Sequence, residues 1–257
     1  DFGKIEAAVK NYKKAIELRP HYVNANSNLN LILKQKKLLI NILHEKKIIM
    51  HSFENIHEKV SELYPRVNTE KYDTKLIPNP FISNRKVESD LITKLYAINS
   101  RELLNNKNSS HLNSKDARYG NGRCSDFQLL ENNSTIIKTV TDGLTKIMSQ
   151  AVKSNIHIMD SFFNIYRDGS GSVPHAHIDH FDKIFGLNKQ KYSLTYYLSV
   201  GDQDCSEPGI LKLYGPNENI LPVEGMIVIM PSDRMHSAVY SGKLDRVMIG
   251  INFYCLL

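Results

Sequence analysis

Apolar residues recur at two different periods along this chain, and the change between them divides it. Over residues 1–62 they fall three and four apart, with lysines and asparagines between, which predicts helices and almost no strand. Around Tyr64-Pro65 and again at Pro78-Asn79-Pro80 that period fails and turn formers gather, so a linker is expected over residues 63–80. The helical period returns over 87–104 and 134–153. Between them the stretch 105–121 is dense in Asn, Ser, Lys and Gly, which predicts a long loop. From about residue 156 the pattern becomes short alternating or apolar runs separated by Gly, Pro and Asp: 161–166, 193–199, 209–214, 226–230, 236–240 and 246–254. Such a series predicts a barrel or sandwich, and a jelly-roll, cupin-like double-stranded β-helix is the expected form. The chain is thus α+β, with a helical segment over 1–62 and a β-rich domain over 81–257.

The helical segment has its own pattern. Ala8, Tyr12, Ala15 and Pro20 have the spacing of the second helix of a tetratricopeptide repeat, where small residues let two helices approach and a proline closes the unit. Ala25, Leu29 and Leu33 fit the first helix of a following unit, so the segment resembles that family over about one and a half repeats. Repeat arrays bury a continuous core only when several units stack, which predicts a longer array cut at this end. Residues 34–62, rich in Leu, Ile and Lys, are expected to cap it.

At 257 residues and 41% hydrophobic content the chain has material for a sizeable core. No apolar run is long enough for a membrane span and the first residues are charged throughout, so no membrane partner is expected and a cytoplasmic location is the default. Cys124, Cys205 and Cys255 are odd in number and widely spaced, which predicts reduced thiols rather than a disulfide framework or a cysteine zinc site. The formal charge of +6 suggests nucleic acid until its distribution is counted. Residues 1–60 hold eleven Lys and Arg against six acids, so the basicity belongs to the helical segment, where it reads as a solvated face. Nucleic acid is not an expected partner.

The candidate chemistry lies in the β-rich half. In Val173-Pro174-His175-Ala176-His177-Ile178-Asp179 the residues at i, i+2 and i+4 share one face of an extended segment, and two of them can grip one metal. His236 offers a third ligand from a distant strand. Two ligands close together and one far away build a facial triad with open positions. His175 with His177 and His177 with Asp179 are both open as the local pair, and His180 with Asp182 is a third, offset by one strand position.

These residues sit in a longer set: Phe162-Phe163-Asn164-Ile165-Tyr166, then His175 and His177, Tyr196-Tyr197-Leu198, Pro208-Gly209, Gly225 to Pro231, His236 and Arg246. Together they resemble the catalytic half of the 2-oxoglutarate- and iron(II)-dependent oxygenases, especially prolyl-hydroxylase-like members and microbial oxygenases that follow tetratricopeptide repeats. The resemblance implies Fe(II) as metal, 2-oxoglutarate as co-substrate and O2 as oxidant, and a hydroxylase that couples 2-oxoglutarate decarboxylation to oxygen cleavage. It implies that Arg246 pairs with the distal carboxylate of the co-substrate, a task suited to a planar, permanently charged fork. Tyr197 and Tyr166 match tyrosines that line the family's co-substrate pocket. Most members use His-x-Asp, and the spacing from Tyr166 puts His177 where that aspartate sits.

The same barrel serves cupins, whose motifs are partly matched by Gly169, His175, His177 and Asp182 and by Gly225, Pro231 and His236; a metal enzyme or isomerase of that type is the alternative. A second alternative is a repeat-based interaction protein with a catalytically degenerate barrel. For the oxygenase reading the expected substrate is a peptide or protein side chain presented by the helical repeats.

Overall fold

The computed structural model describes residues 2–18, 25–30, 32–34, 36–37, 80–103, 117–179, 182–183 and 186–256. The chain divides into two compact units, Asp1–Lys75 and Leu76–Leu257. In the first, α1 runs Phe2–Leu18, and residues 25–30, 32–34 and 36–37 are also helical. Ala8, Tyr12 and Ala15 are half-buried along one stripe of α1, and Ala25 is buried, in keeping with small residues at a helix contact. The expected capping segment beyond residue 37 and the expected linker up to residue 79 lie outside the described residues.

The second unit is a double-stranded β-helix. Its strands are β1 (Phe81–Asn84), β2 (Arg101–Glu102), β3 (Arg118–Tyr119), β4 (Gly122–Cys124), β5 (Ile156–Tyr166), β6 (Ser170–His175), β7 (Lys191–Ser199), β8 (Leu211–Leu213), β9 (Glu218–Ile220), β10 (Met226–Pro231), β11 (His236–Tyr240) and β12 (Arg246–Cys255). A major sheet has the order β1-β10-β7-β12-β5-β4-β2 and a minor sheet the order β3-β6-β11-β8-β9. The helices α2 (Leu91–Ala97) and α3 (Thr135–Val152) accompany them.

The two faces of the major sheet have different chemistry. Phe163 and Ile165 of β5, Leu194, Tyr196 and Leu198 of β7, and Val247, Ile249, Ile251 and Phe253 of β12 join one apolar cluster with Ile137, Val140, Leu144 and Met148 of α3. Those helix positions are three and four apart, so α3 is a ridge that covers one side of the sheet. Ser134 caps its start, accepting from the Ile137 N–H, and Lys153 ends it in the left-handed region at φ 51°. The intervening residues, Asn164 and Tyr166, Ser193 and Tyr197, Arg246, Met248 and Asn252, turn to the other face, toward the minor sheet. Apolar cover on one side thereby frees the other side for polar work.

Several local expectations shift. The helical period over 87–104 yields only α2, because Arg101 and Glu102 pair with Cys124 and Arg123 in the sheet. Leu91 and Leu95 are the buried positions of α2, too few to sustain a longer amphipathic face. The stretch expected to be loop contains β3, which pairs with β6 through Arg118↔Ser172 and Tyr119↔Gly171. Four short strands before residue 156 therefore join the sheets. Their polar content hides them from a hydrophobic pattern.

Candidate metal and co-substrate site

His175 is the last residue of β6 and His236 the first of β11, and the two are paired in register. His177 lies just past the end of β6, held by its N–H donating to the Ser232 carbonyl at 2.8 Å. The three imidazoles converge, with candidate ligand atoms all within 4.8 Å of one another. Each of two rings has its tautomer fixed. The Nδ1 of His175 lies 2.7 Å from the Val173 carbonyl and that of His236 lies 2.9 Å from the Arg234 carbonyl. A carbonyl only accepts, so both Nδ1 atoms carry the proton and both Nε2 atoms present a lone pair. His177 Nε2 is 3.3 Å from His236 Nε2. Two ligands about 2.1 Å from one metal and roughly at right angles stand about 3 Å apart, so the pair is already near metal-binding separation.

Arg246 opens β12 at the other side of the same cavity and is fully buried. Its Nη1 donates to the Pro208 carbonyl at 3.3 Å, while Nε and Nη2 have no hydrogen-bond partner among the described residues. The guanidinium lies over Tyr197 and Tyr240, at 5.1 and 5.9 Å from the ring centroids, and Tyr166 faces Arg246 in the β5–β12 ladder. Gly209 makes room for it: at φ 79° its backbone suits glycine, and a Cβ there would stand 1.5 Å from Arg246 Nη1. A buried cation with two donors unmet is costly unless an anion enters. The cavity has a volume of about 190 Å³, enough for on the order of ten waters or one small dicarboxylate. No Asp or Glu lines it among the described residues.

Residues 1–37 match the TPR repeat family model. No curated protein matches the chain in sequence. Among solved structures, the chain is similar to a prolyl hydroxylase from Trichoplax adhaerens in complex with a hypoxia inducible factor oxygen degradation domain peptide fragment. That likeness has a TM-score of 0.50 and 13% identity, covering 80% of this chain and 94% of that one. It is similar also to HygX from Streptomyces hygroscopicus, solved with nickel and 2-oxoglutarate bound, with a TM-score of 0.50, 9% identity and coverage of 74% and 87%. The fold is that of the 2-oxoglutarate- and iron(II)-dependent oxygenases. Within this oxygenase fold the triad and Arg246 sit on the inner faces of the two sheets.

Asp179 is elsewhere. The chain leaves its extended path after His177, and Asp179 Oδ1 accepts the Asp182 N–H at 2.9 Å while Asp182 Oδ2 accepts the Asp179 N–H at 2.8 Å. The group of three that can hold a metal leaves it out. Asp182, the position of the cupin motif's carboxylate, is fully buried and paired at 2.7 Å with Lys191 Nζ, and Tyr254 OH donates to it as well. Burial pushes its carboxyl up, and Lys191 opposes that most strongly. His180 lies outside the described residues. His175 and His177 thus come together with His236, while a reciprocal turn with Asp182 competes for the Asp179 carboxylate.

The donor set fits a divalent metal, and the orphaned guanidinium nitrogens fit a carboxylate. Two imidazoles held neutral, His236 and His177, also fit the electrostatics. Burial first, then neighbouring His175, brings His236 down to about 4 from 6.5, against the opposing bond to the Arg234 carbonyl. Burial first and then His236 and His175 lower His177 as well. Unfolded imidazoles titrate near 6.5, so between about 6.5 and 4 the unfolded chain binds more protons and stability falls with falling pH. For His236 the full window is worth about 3 kcal/mol. The urea midpoint of metal-free protein should drop progressively below about pH 6.5; an unchanged midpoint down to about pH 4.5 would show that these rings are not held neutral.

Pattern reading missed three features of this site. Arg118 and Phe127 line the cavity from segments without a clear period, and the Asp182–Lys191–Tyr254 cluster pairs residues far apart in sequence. The one available signal was lysine at the start of an otherwise apolar strand, Lys191.

Proposed function

We propose that the chain is a 2-oxoglutarate-dependent non-haem iron dioxygenase, a hydroxylase whose metal is held by His175, His177 and His236. The observation that carries this reading is the pairing of a convergent imidazole triad with a buried guanidinium lacking an anion, both on one cavity of an oxygenase fold. When bound, iron(II) with 2-oxoglutarate supplies the oxygen-activating chemistry. The Val173 and Arg234 carbonyls keep the His175 and His236 lone pairs turned inward. Arg246 fixes the far carboxylate of the co-substrate, Tyr197 and Tyr240 shield that ion pair from water, and Tyr166 closes the wall beside it. Nitrogen donors accept nickel and zinc as readily, so iron is the choice of the reaction rather than of the ligands alone.

The cupin reading loses its motif carboxylate, since Asp182 is spent on Lys191 and Tyr254. For the substrate we favour a peptide or protein side chain presented by the repeat segment. Deleting residues 1–75 should then change which protein gains an oxygen atom while 2-oxoglutarate affinity stays; an unchanged target would remove that role.

Calorimetric titration of 2-oxoglutarate into nickel-loaded protein tests the site. Arg246→Gln should weaken binding by about 2 to 5 kcal/mol, because it removes one partner of a buried charge-assisted pair, with nickel affinity nearly unaltered. Equal 2-oxoglutarate affinity in the variant would oppose the assignment.

A further inference from the structure

One turn holds two of the three imidazoles. Between β10 and β11 the Arg234 N–H donates to the Pro231 carbonyl at 3.0 Å and closes the turn. Within it the Ser232 carbonyl accepts the His177 N–H at 2.8 Å, and the Arg234 carbonyl accepts from His236 Nδ1 at 2.9 Å. His177 depends on this tie more than its partners do. It lies past the end of β6, and among the described residues its ring lacks the carbonyl bond that fixes His175 and His236. Where its imidazole points therefore follows from where Ser232 sits.

Ser232 is the end of a polar row that crosses the major sheet. Its hydroxyl lies 2.9 Å from that of Ser193, Ser193 Oγ lies 2.7 Å from Asn252 Oδ1, and Asn252 Nδ2 donates to Asp160 Oδ1 at 2.8 Å. The strands set the row, since Ser193 of β7 stands opposite Asn252 of β12, which stands opposite Asp160 of β5. Its direction is fixed from the Asp160 end. A carboxylate only accepts, so Asn252 turns its amide nitrogen to Asp160 and its oxygen to Ser193. The Ser193 hydroxyl must then donate to Asn252, and the Ser232 hydroxyl must donate to Ser193.

The Ser232 N–H is taken as well, by the Lys191 carbonyl at 2.9 Å. Bound through both hydroxyl and N–H, Ser232 has one place for its carbonyl. Ser232, Ser193 and Asn252 are only 1, 4 and 6% exposed, so water does not substitute for a lost member of the row. Buried hydrogen bonds add little net stability beyond what apolar residues of the same shape supply, whereas a one-way chain closed to water fixes orientation. We propose that Ser193 and Asn252 are positioning residues for the metal site, orienting His177 through Ser232. This rests on the reading of His175, His177 and His236 as the metal ligands.

The test uses the full chain and two readouts. In metal-free protein, amide hydrogen exchange at His177 should quicken in Ser193→Ala and Asn252→Leu by about tenfold more than at Leu144 of α3, whose exchange reports global opening. Calorimetric nickel affinity should fall about tenfold in each variant, the lower end of the loss seen for groups that support a ligand. Ser193→Thr keeps the hydroxyl, and its methyl has room because Ser193 lines the cavity, so it should retain that affinity. A row that acts as one unit also predicts that Ser193→Ala combined with Asn252→Leu loses no more than either alone, whereas independent losses would multiply to about a hundredfold. Unchanged nickel affinity in Ser193→Ala overturns the proposal, as does a loss that Ser193→Thr shares or a double variant whose losses multiply. Should Asn252→Leu fail to fold, Ser232→Ala breaks the row at its other end and is held to the same outcomes. If the unaltered protein binds no nickel, the proposed function fails, while faster His177 exchange in the variants still assigns the row its hold on that residue. Unchanged His177 exchange in protein that does bind nickel overturns this inference by itself.

Discussion

Replacing His236 by alanine is expected to lower metal affinity by more than about a hundredfold, beyond the loss usual for residues that merely support a ligand. Of the three imidazoles it has the clearest preparation: it is buried, its Nδ1 proton is committed to the Arg234 carbonyl, and its Nε2 stands 3.3 Å from that of His177. His177→Ala should behave alike. Asp179→Asn should leave metal affinity roughly unaltered, because an amide oxygen still accepts the Asp182 N–H and no metal bond is lost. Nickel titration of the three variants measures this. Retained binding in His236→Ala would contradict the site altogether, and collapse in Asp179→Asn would move it to His177 and Asp179 with His236.

A comparable effect on stability is expected at Lys191. Lys191→Met should cost about 3 to 5 kcal/mol in urea unfolding, because it strands a fully buried carboxylate without its cation. Asp182 would keep the Tyr254 hydroxyl and the Asp179 N–H, which hold the charge in place without neutralising it. The pair also closes the turn that follows His177, so the variant should lose metal affinity as well. If stability is unchanged, the pair adds nothing that an apolar packing of the same volume would not.

Legibility differed between elements for physical reasons. β11 was readable residue for residue, β7, β10 and β12 nearly so, and β5 over its second half, because one face of each packs on α3 or inside the barrel and must alternate or stay apolar. α3 announced itself by its period and by Ser134. The convergence of His175, His177 and His236 was legible from spacing on an extended segment, and Arg246 from the resemblance. β2, β3 and β4 were not legible: two or three residues carry no period, and they exist because β6 offers an edge to β3, β5 one to β4, and β4 in turn one to β2. The fate of Asp179 was equally hidden, since a turn that spends its carboxylate on Asp182 is a contest between neighbours three residues apart. Arg118 stands over Phe127 and Phe162 in a strand, β3, that pairs with β6 and that no period announces.

The central claim is that this triad and Arg246 run 2-oxoglutarate-dependent oxygen chemistry. Succinate released from 2-oxoglutarate by iron(II)-loaded protein on admission of oxygen measures it most directly. The account predicts slow succinate formation even without an added substrate, dependent on both iron and oxygen and lost in His236→Ala. Protein that binds iron and 2-oxoglutarate yet forms no succinate, or forms it equally without His236, would contradict it.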